Sequence, residues 1–230
     1  MAEKDTEEKK SFADNVGGFL TKYRVLFIGV IIALFVVAIV WGIFSTMSTS
    51  SHEKGLNQLD SIVYTMTKAA STASDDASID AAREVALPQL LDLAGKNKGN
   101  IVGLRANMAA AEVYFSQGKW SEARDCWLES AATKDAGYTA PICYYNAAVC
   151  SEELADVDAA IRYYDKALSS GECEFEPHIL FSLGRLHEGK GDFVAASDNY
   201  LSLKDKYPSD SWTSLAESRL IALRAEGKIQ

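Results

Sequence analysis

The strongest pattern along the chain is an apolar run: residues 25–44 read VLFIGVIIALFVVAIVWGIF, twenty positions without a charge, fifteen of them Leu, Ile, Val or Phe. At about 1.5 Å per residue such a helix spans about 30 Å, the hydrocarbon thickness of a bilayer. The run predicts a transmembrane helix rather than a buried core helix or a cleaved signal peptide. A signal peptide has an apolar stretch of about 7 to 15 residues ending in an A-x-A-like site, whereas Ser45-Thr46-Met47-Ser48 follows here. Trp41 and Tyr23 suit the aromatic belts at the two interfaces. Ahead of the run, Phe12, Val16, Phe19, Leu20 and Tyr23 recur at helical spacing, as in a short interfacial helix. Within it, Gly29 with Ala33 and Ala38 with Gly42 form small pairs that either pack on another transmembrane helix or face lipid.

Beyond residue 44 the period becomes that of water-soluble helices. Leu56, Leu59, Ile62, Val63 and Met66 mark one amphipathic helix, a polar break covers 71–78, and a second helix runs to about Ala94, bent by Pro88. Residues 45–98 thus read as a divergent capping hairpin. From 99 to 230 the chain repeats itself. Ala123, Ala160 and Ala196 lie 37 and 36 residues apart, as do the aromatics Trp127, Tyr164 and Tyr200, while Pro141 and Pro177 are 36 apart. A small residue lets two antiparallel helices approach, an aromatic four positions later fills the gap between them, and proline opens a helix. Ser211-Trp212, Leu215, Leu220, Ile221 and Leu223 supply a solvating helix at the end.

The third repeat, LGRLHEGKGDFVAASDNYLSLKDKYP, resembles the tetratricopeptide repeat, a helix-turn-helix of about 34 residues patterned L-G-x-x-Y, then A, then F or Y, then P. It departs at His187, and the second repeat departs at Ser151, where the pattern has Tyr. The resemblance implies an α-solenoid of tetratricopeptide-like hairpins, so with the apolar run the chain reads as all-α, an N-terminal transmembrane helix followed by that solenoid. The resemblance also implies a concave peptide groove lined by the first helix of each pair. Carried onto this numbering, the groove positions are Arg105, Met108, Glu112 and Phe115, then Ile142, Tyr145, Val149 and Glu152, then His178, Phe181, Arg185 and Glu188. Glutamate at such positions argues against the subset that clamps chaperone C-termini, and the mixed, aromatic lining suits an apolar peptide.

Charge sharpens the layout. Residues 1–24 carry five of the 23 basic and five of the 32 acidic residues and 25–44 carry none, so the whole net charge of -9 falls on 45–230. That excludes nucleic acid, whose phosphates need clustered Lys and Arg. Lys4, Lys9, Lys10, Lys22 and Arg24 precede the run against only Lys54 in the twenty residues after it. The excess places 1–24 in the cytoplasm and 45–230 on the extracytoplasmic side. His52, His178 and His187 form no metal or catalytic motif, and there is no phosphate loop or nucleophile elbow. The expectation is a non-enzyme without metal, cofactor or small-molecule substrate. Cys143 and Cys150 are about 10.5 Å apart along one helix and cannot bond. Cys126 could bridge to either, or Cys126, Cys143, Cys150 and Cys173 are all small buried thiols.

Two stretches, Ser11-Phe12-Ala13-Asp14-Asn15 with Gly17 and the run Gly99-Asn100-Ile101-Val102-Gly103-Leu104-Arg105-Ala106-Asn107-Met108-Ala109-Ala110-Ala111-Glu112, resemble the bacterial ancillary subunit of the Sec translocon. That family is single-span, periplasm-facing and tetratricopeptide-like. The resemblance implies an inner-membrane protein whose exported domain binds a translocon component, a chaperone or an emerging polypeptide. A scaffold for envelope or division-complex assembly, and a cytosol-facing import receptor of reversed topology, remain the alternatives.

Overall fold

A computed structural model describes residues 23–73 and 75–230, with side chains in the first helix described at Val30, over 34–41 and from Ser51 onward. The described residues form nine helices: α1 (Arg24–Thr72), α2 (Asp76–Lys96), α3 (Ile101–Ser116), α4 (Trp120–Ala131), α5 (Ala140–Glu153), α6 (Val157–Ser169), α7 (Glu176–Gly189), α8 (Phe193–Lys206) and α9 (Ser211–Ala225). The chain divides into two compact units at Glu53 and Lys54. The interfacial helix expected before Tyr23 lies outside the described residues, as do most side chains of the expected span. Among the described residues no helix is long and apolar enough to cross a membrane.

In the first unit the described apolar side chains are all exposed, including the unbroken stretch Leu34, Phe35, Val36 and Val37 and, beyond Ala38, Ile39, Val40 and Trp41. Consecutive positions point around the whole helix, so no single core-facing stripe exists here. Helix α1 continues without interruption to Thr72, so the segment expected to be a span and the first capping helix share one helix.

In the second unit the hydrophobic core is a series of four small clusters, each joining three consecutive helices. Leu59 and Ile62 of α1 meet Leu90 of α2 and Val102 of α3. Ala123 and Trp127 of α4 then sit between α3 and α5. Ala160 and Tyr164 of α6 bind α5 to α7, and Ala196 and Tyr200 of α8 bind α7 to α9. Neighbour-only packing of this kind defines a helical solenoid. The spacing seen in the sequence has a direct cause. Ala123, Ala160 and Ala196 are fully buried, and so are Tyr164 and Tyr200, with Trp127 nearly so. Gly184 faces Tyr200 so closely that a Cβ there would lie 2.6 Å from ring carbon Cδ1.

Local chemistry sets the helix ends. The Asn100 side chain accepts from the Val102 and Gly103 amides, Asp156 from Ala159, Asp192 from Ala195 and Asp210 from Trp212. Pro141 and Pro177 occupy the first turns of α5 and α7, where a missing N–H costs nothing. Each hairpin turn passes through a left-handed residue: Gly118 at φ 69°, Ala155 at 56° and Gly191 at 78°. Alanine pays about 1–2 kcal/mol in that region. Ala155→Gly is therefore expected to raise unfolding stability, by about 0.5–1 kcal/mol after the greater chain entropy of glycine is deducted. A urea titration monitored by circular dichroism checks this, with Ala147→Gly in mid-helix as the opposite-sign control.

All four cysteines are free thiols, so the bridge from Cys126 is not formed. Cys126 packs as a small apolar group between the first two core clusters. Burial, then the nearby Glu129 and Asp125, push its thiol up to about 11, and burial pushes Cys143 and Cys150 up to about 12. None is a thiolate nucleophile at neutral pH.

Candidate functional site

The positions carried over from the repeat pattern lie on α3, α5 and α7, the first helices of the hairpins, and the structure distributes them over two recesses and an aromatic seam. Arg105, Met108 and Glu112 of α3 face Asp60, Val63 and Tyr64 of α1 across an open recess of about 430 Å³. Phe181 and Arg185 line a second recess of about 330 Å³ with Glu188, Tyr200 and Arg219. Between them Phe115 packs edge-on against Trp120 at 4.8 Å, Ile142 is half-buried against the second core cluster and Val149 against the third.

Tyr145 belongs to the seam. It stacks on Phe175 at 4.7 Å and 12°, and its hydroxyl is 2.9 Å from Nδ1 of His178. The His178 ring lies 4.3 Å from that of Trp212, which in turn lies 5.2 Å from Phe181. One row of aromatic groups thus links α5, α7 and α9. Sequence reasoning placed Tyr145, His178 and Phe181 here and missed Phe175 and Trp212. The signal for Trp212 was available as the spacing of 33 and 34 residues from Tyr145 to His178 to Trp212, which differs from the repeat period because it joins neighbouring helices rather than equivalent positions.

The charged positions are mostly engaged with one another. The Tyr164 hydroxyl donates to Glu152 at 2.7 Å, and Arg185 reaches back from the next hairpin to the same carboxylate. Glu188 receives Tyr200 at 3.1 Å and Arg219 from α9. The hydrogen bonds from Arg219 hold Glu188 below the usual carboxylate range. Arg185 and Glu152 therefore tie repeats together as well as lining the face. Glu112 is different: no cation pairs with it among the described residues. Although the side chain is exposed in area, partial burial at the recess lip raises its carboxyl above the ordinary value.

His178 carries a pH consequence. Burial lowers its pKa below 6.5, while Glu152 pulls it up and Arg185 pushes it down. The neutral ring is favoured in the fold, so below about pH 6.5 the unfolded chain binds more protons and stability falls as pH drops. The urea midpoint is expected to fall between about pH 7.5 and about pH 5.5, and less steeply in His178→Gln than in the natural chain. Equal slopes would remove His178 as the cause.

What these elements form is a helical solenoid whose first helices present a half-buried apolar and aromatic face. Residues 109–178 match the model of a domain of unknown function (DUF6340), a stretch from the second half of α3 to the start of α7. The chain is also 29% identical over 122 residues to a TPR repeat-containing protein of Treponema pallidum (strain Nichols), a match covering 53% of this chain and 51% of that protein. The matched stretch is thus about half the length of this relative, and TPR-type domains in general mediate protein–protein interaction.

Proposed function

We propose that the chain is a membrane-anchored tetratricopeptide-type module that binds protein through the face formed by α3, α5 and α7. The observation that carries the reading is that this face combines two open recesses with an aromatic seam, while its charges are largely used up between repeats. A face of that kind offers apolar anchoring sites to a peptide. The anchor is supported by residues 25–44, whose described side chains are apolar and exposed around the helix, an arrangement suited to lipid. The excess of Lys and Arg before this run supports a cytoplasmic N-terminus and an extracytoplasmic repeat domain. Association with protein translocation or periplasmic chaperoning rests on the Ser11 and Gly99 stretches that resemble the translocon's ancillary subunit.

The test is copurification from gently solubilised membranes, with Met108→Glu as the comparison. Proteins retained by the natural chain and lost from the variant are expected. An identical set from both would overturn binding through this face. A periplasm-active reporter fused after Gln230 is expected to be active; inactivity would turn the domain toward the cytosol.

A further inference from the structure

The first helices of successive hairpins meet at joints, and two of these joints are closed by the same trio. Tyr164 and Arg185 converge on Glu152, and Tyr200 and Arg219 converge on Glu188. In each case an arginine reaches back to a carboxylate on the preceding first helix. The joint between α1 and α3 lacks this closure. The repeat spacing of 37 and 36 residues aligns Glu112 with Val149 and Arg185, so an acid stands where the third repeat places its arginine. Facing it, α1 offers Asp60 to the recess. Neither carboxylate makes an ion pair among the described residues, and Glu112 is desolvated without a cation to offset the cost,. Between the two acids the floor is apolar, with Val63 and Met108, and Tyr64 is 65% exposed. Arg105 of α3 also lines the recess but makes no ion pair with either acid among the described residues, and on α1 Lys68 lies 5.8 Å from the centroid of the Tyr64 ring, so the recess lining keeps two carboxylates against one guanidinium.

We propose that the α1/α3 recess binds a polypeptide segment in which an apolar side chain is flanked by lysine or arginine. The apolar group enters against Val63, Tyr64 and Met108, and the flanking cation meets Asp60 and Glu112. The net charge of -9 that the sequence confines to 45–230 favours the approach of such a segment over an acidic one. This deepens the protein-binding reading above and rests on it.

The experiment uses the full chain in neutral detergent micelles and measures fluorescence anisotropy with three labelled alanine-based peptides. One carries a central Leu-Phe flanked by lysines, one the same centre flanked by glutamates, and one the lysines with Ser-Ser in place of Leu-Phe. The lysine-flanked apolar peptide is expected to bind about tenfold or more tighter than either of the others, with affinity falling as salt rises. The double variant Asp60→Asn with Glu112→Gln is expected to lose the preference over the glutamate peptide while keeping the same thermal melt. Equal affinity for lysine and glutamate peptides, or a preference that persists in the double variant, overturns the proposal. Equal binding of the Ser-Ser peptide also overturns it, since the recess would then act as an acidic patch alone. If the peptides show no preference while Met108→Glu still loses copurifying proteins, this assignment fails and the protein-binding reading stands.

Discussion

Gly184→Ala is expected to destabilise the repeat domain by about 1–3 kcal/mol, the usual cost of forcing extra volume into a packed core, although alanine is intrinsically the better helix former. The reason is the Tyr200 ring. A Cβ at position 184 would lie 2.6 Å from Cδ1 and 2.8 Å from Cζ. The ring has nowhere to go: it is fully buried and its hydroxyl is held by Glu188 at 3.1 Å. The same substitution in a Tyr200→Leu background is expected to cost nothing, or to gain up to about 1 kcal/mol from helix propensity. Urea midpoints for the four proteins of this cycle give the coupling directly. Costs that simply add would mean that glycine is not there to admit the ring.

Tyr164→Ala is expected to cost about 3–5 kcal/mol, the range for removing a large buried aromatic, whereas Tyr164→Phe is expected to cost only about 1 kcal/mol, the worth of one hydrogen bond. The ring fills the space between α6, α5 and α7; the hydroxyl serves Glu152, which keeps Arg185 as its remaining partner in the Phe variant. The first repeat shows the same logic from the other side. Its aromatic is Trp127, and the residue twelve positions earlier, equivalent to Glu152 and Glu188, is Phe115. No acceptor stands there, and the Trp127 indole Nε1 is buried without a hydrogen-bond partner. Hydroxyl and carboxylate therefore occur together or not at all. Chemical denaturation of both variants checks the ranking, and a Phe variant as damaged as the Ala variant would contradict it.

The hairpins were legible in the sequence because their defining contacts recur at fixed offsets within one repeat. Ala160 with Tyr164 and Ala196 with Tyr200 each bury a small residue and a ring four positions apart, and the eye finds that period directly. The face of the first helices was less legible because its contacts run between repeats, at offsets near 33. The link from Glu152 to Arg185 and the row from Tyr145 through His178 to Trp212 have this form, and each joins residues that no single repeat pattern pairs. Arg185 and Tyr145 were thus placed on the correct helices without their partners being visible. Ala155 shows another limit of pattern: it occupies a left-handed turn that the other two repeats give to glycine, and only the aligned position betrays it. The periodicity of Leu59, Ile62 and Met66 marked an amphipathic helix, but nothing in it revealed that the same helix begins at Arg24.

The most direct test of the account is a photocrosslinking scan in intact cells. A benzophenone side chain is placed one at a time at Arg105, Met108 and Phe181 on the first helices, and at the exposed Asp125, Asp165 and Asp198 on the second helices. The account predicts protein adducts at the first three positions and not at the second three. Adducts spread evenly over both sets, confined to the second helices, or absent from Met108 and Phe181 would contradict it.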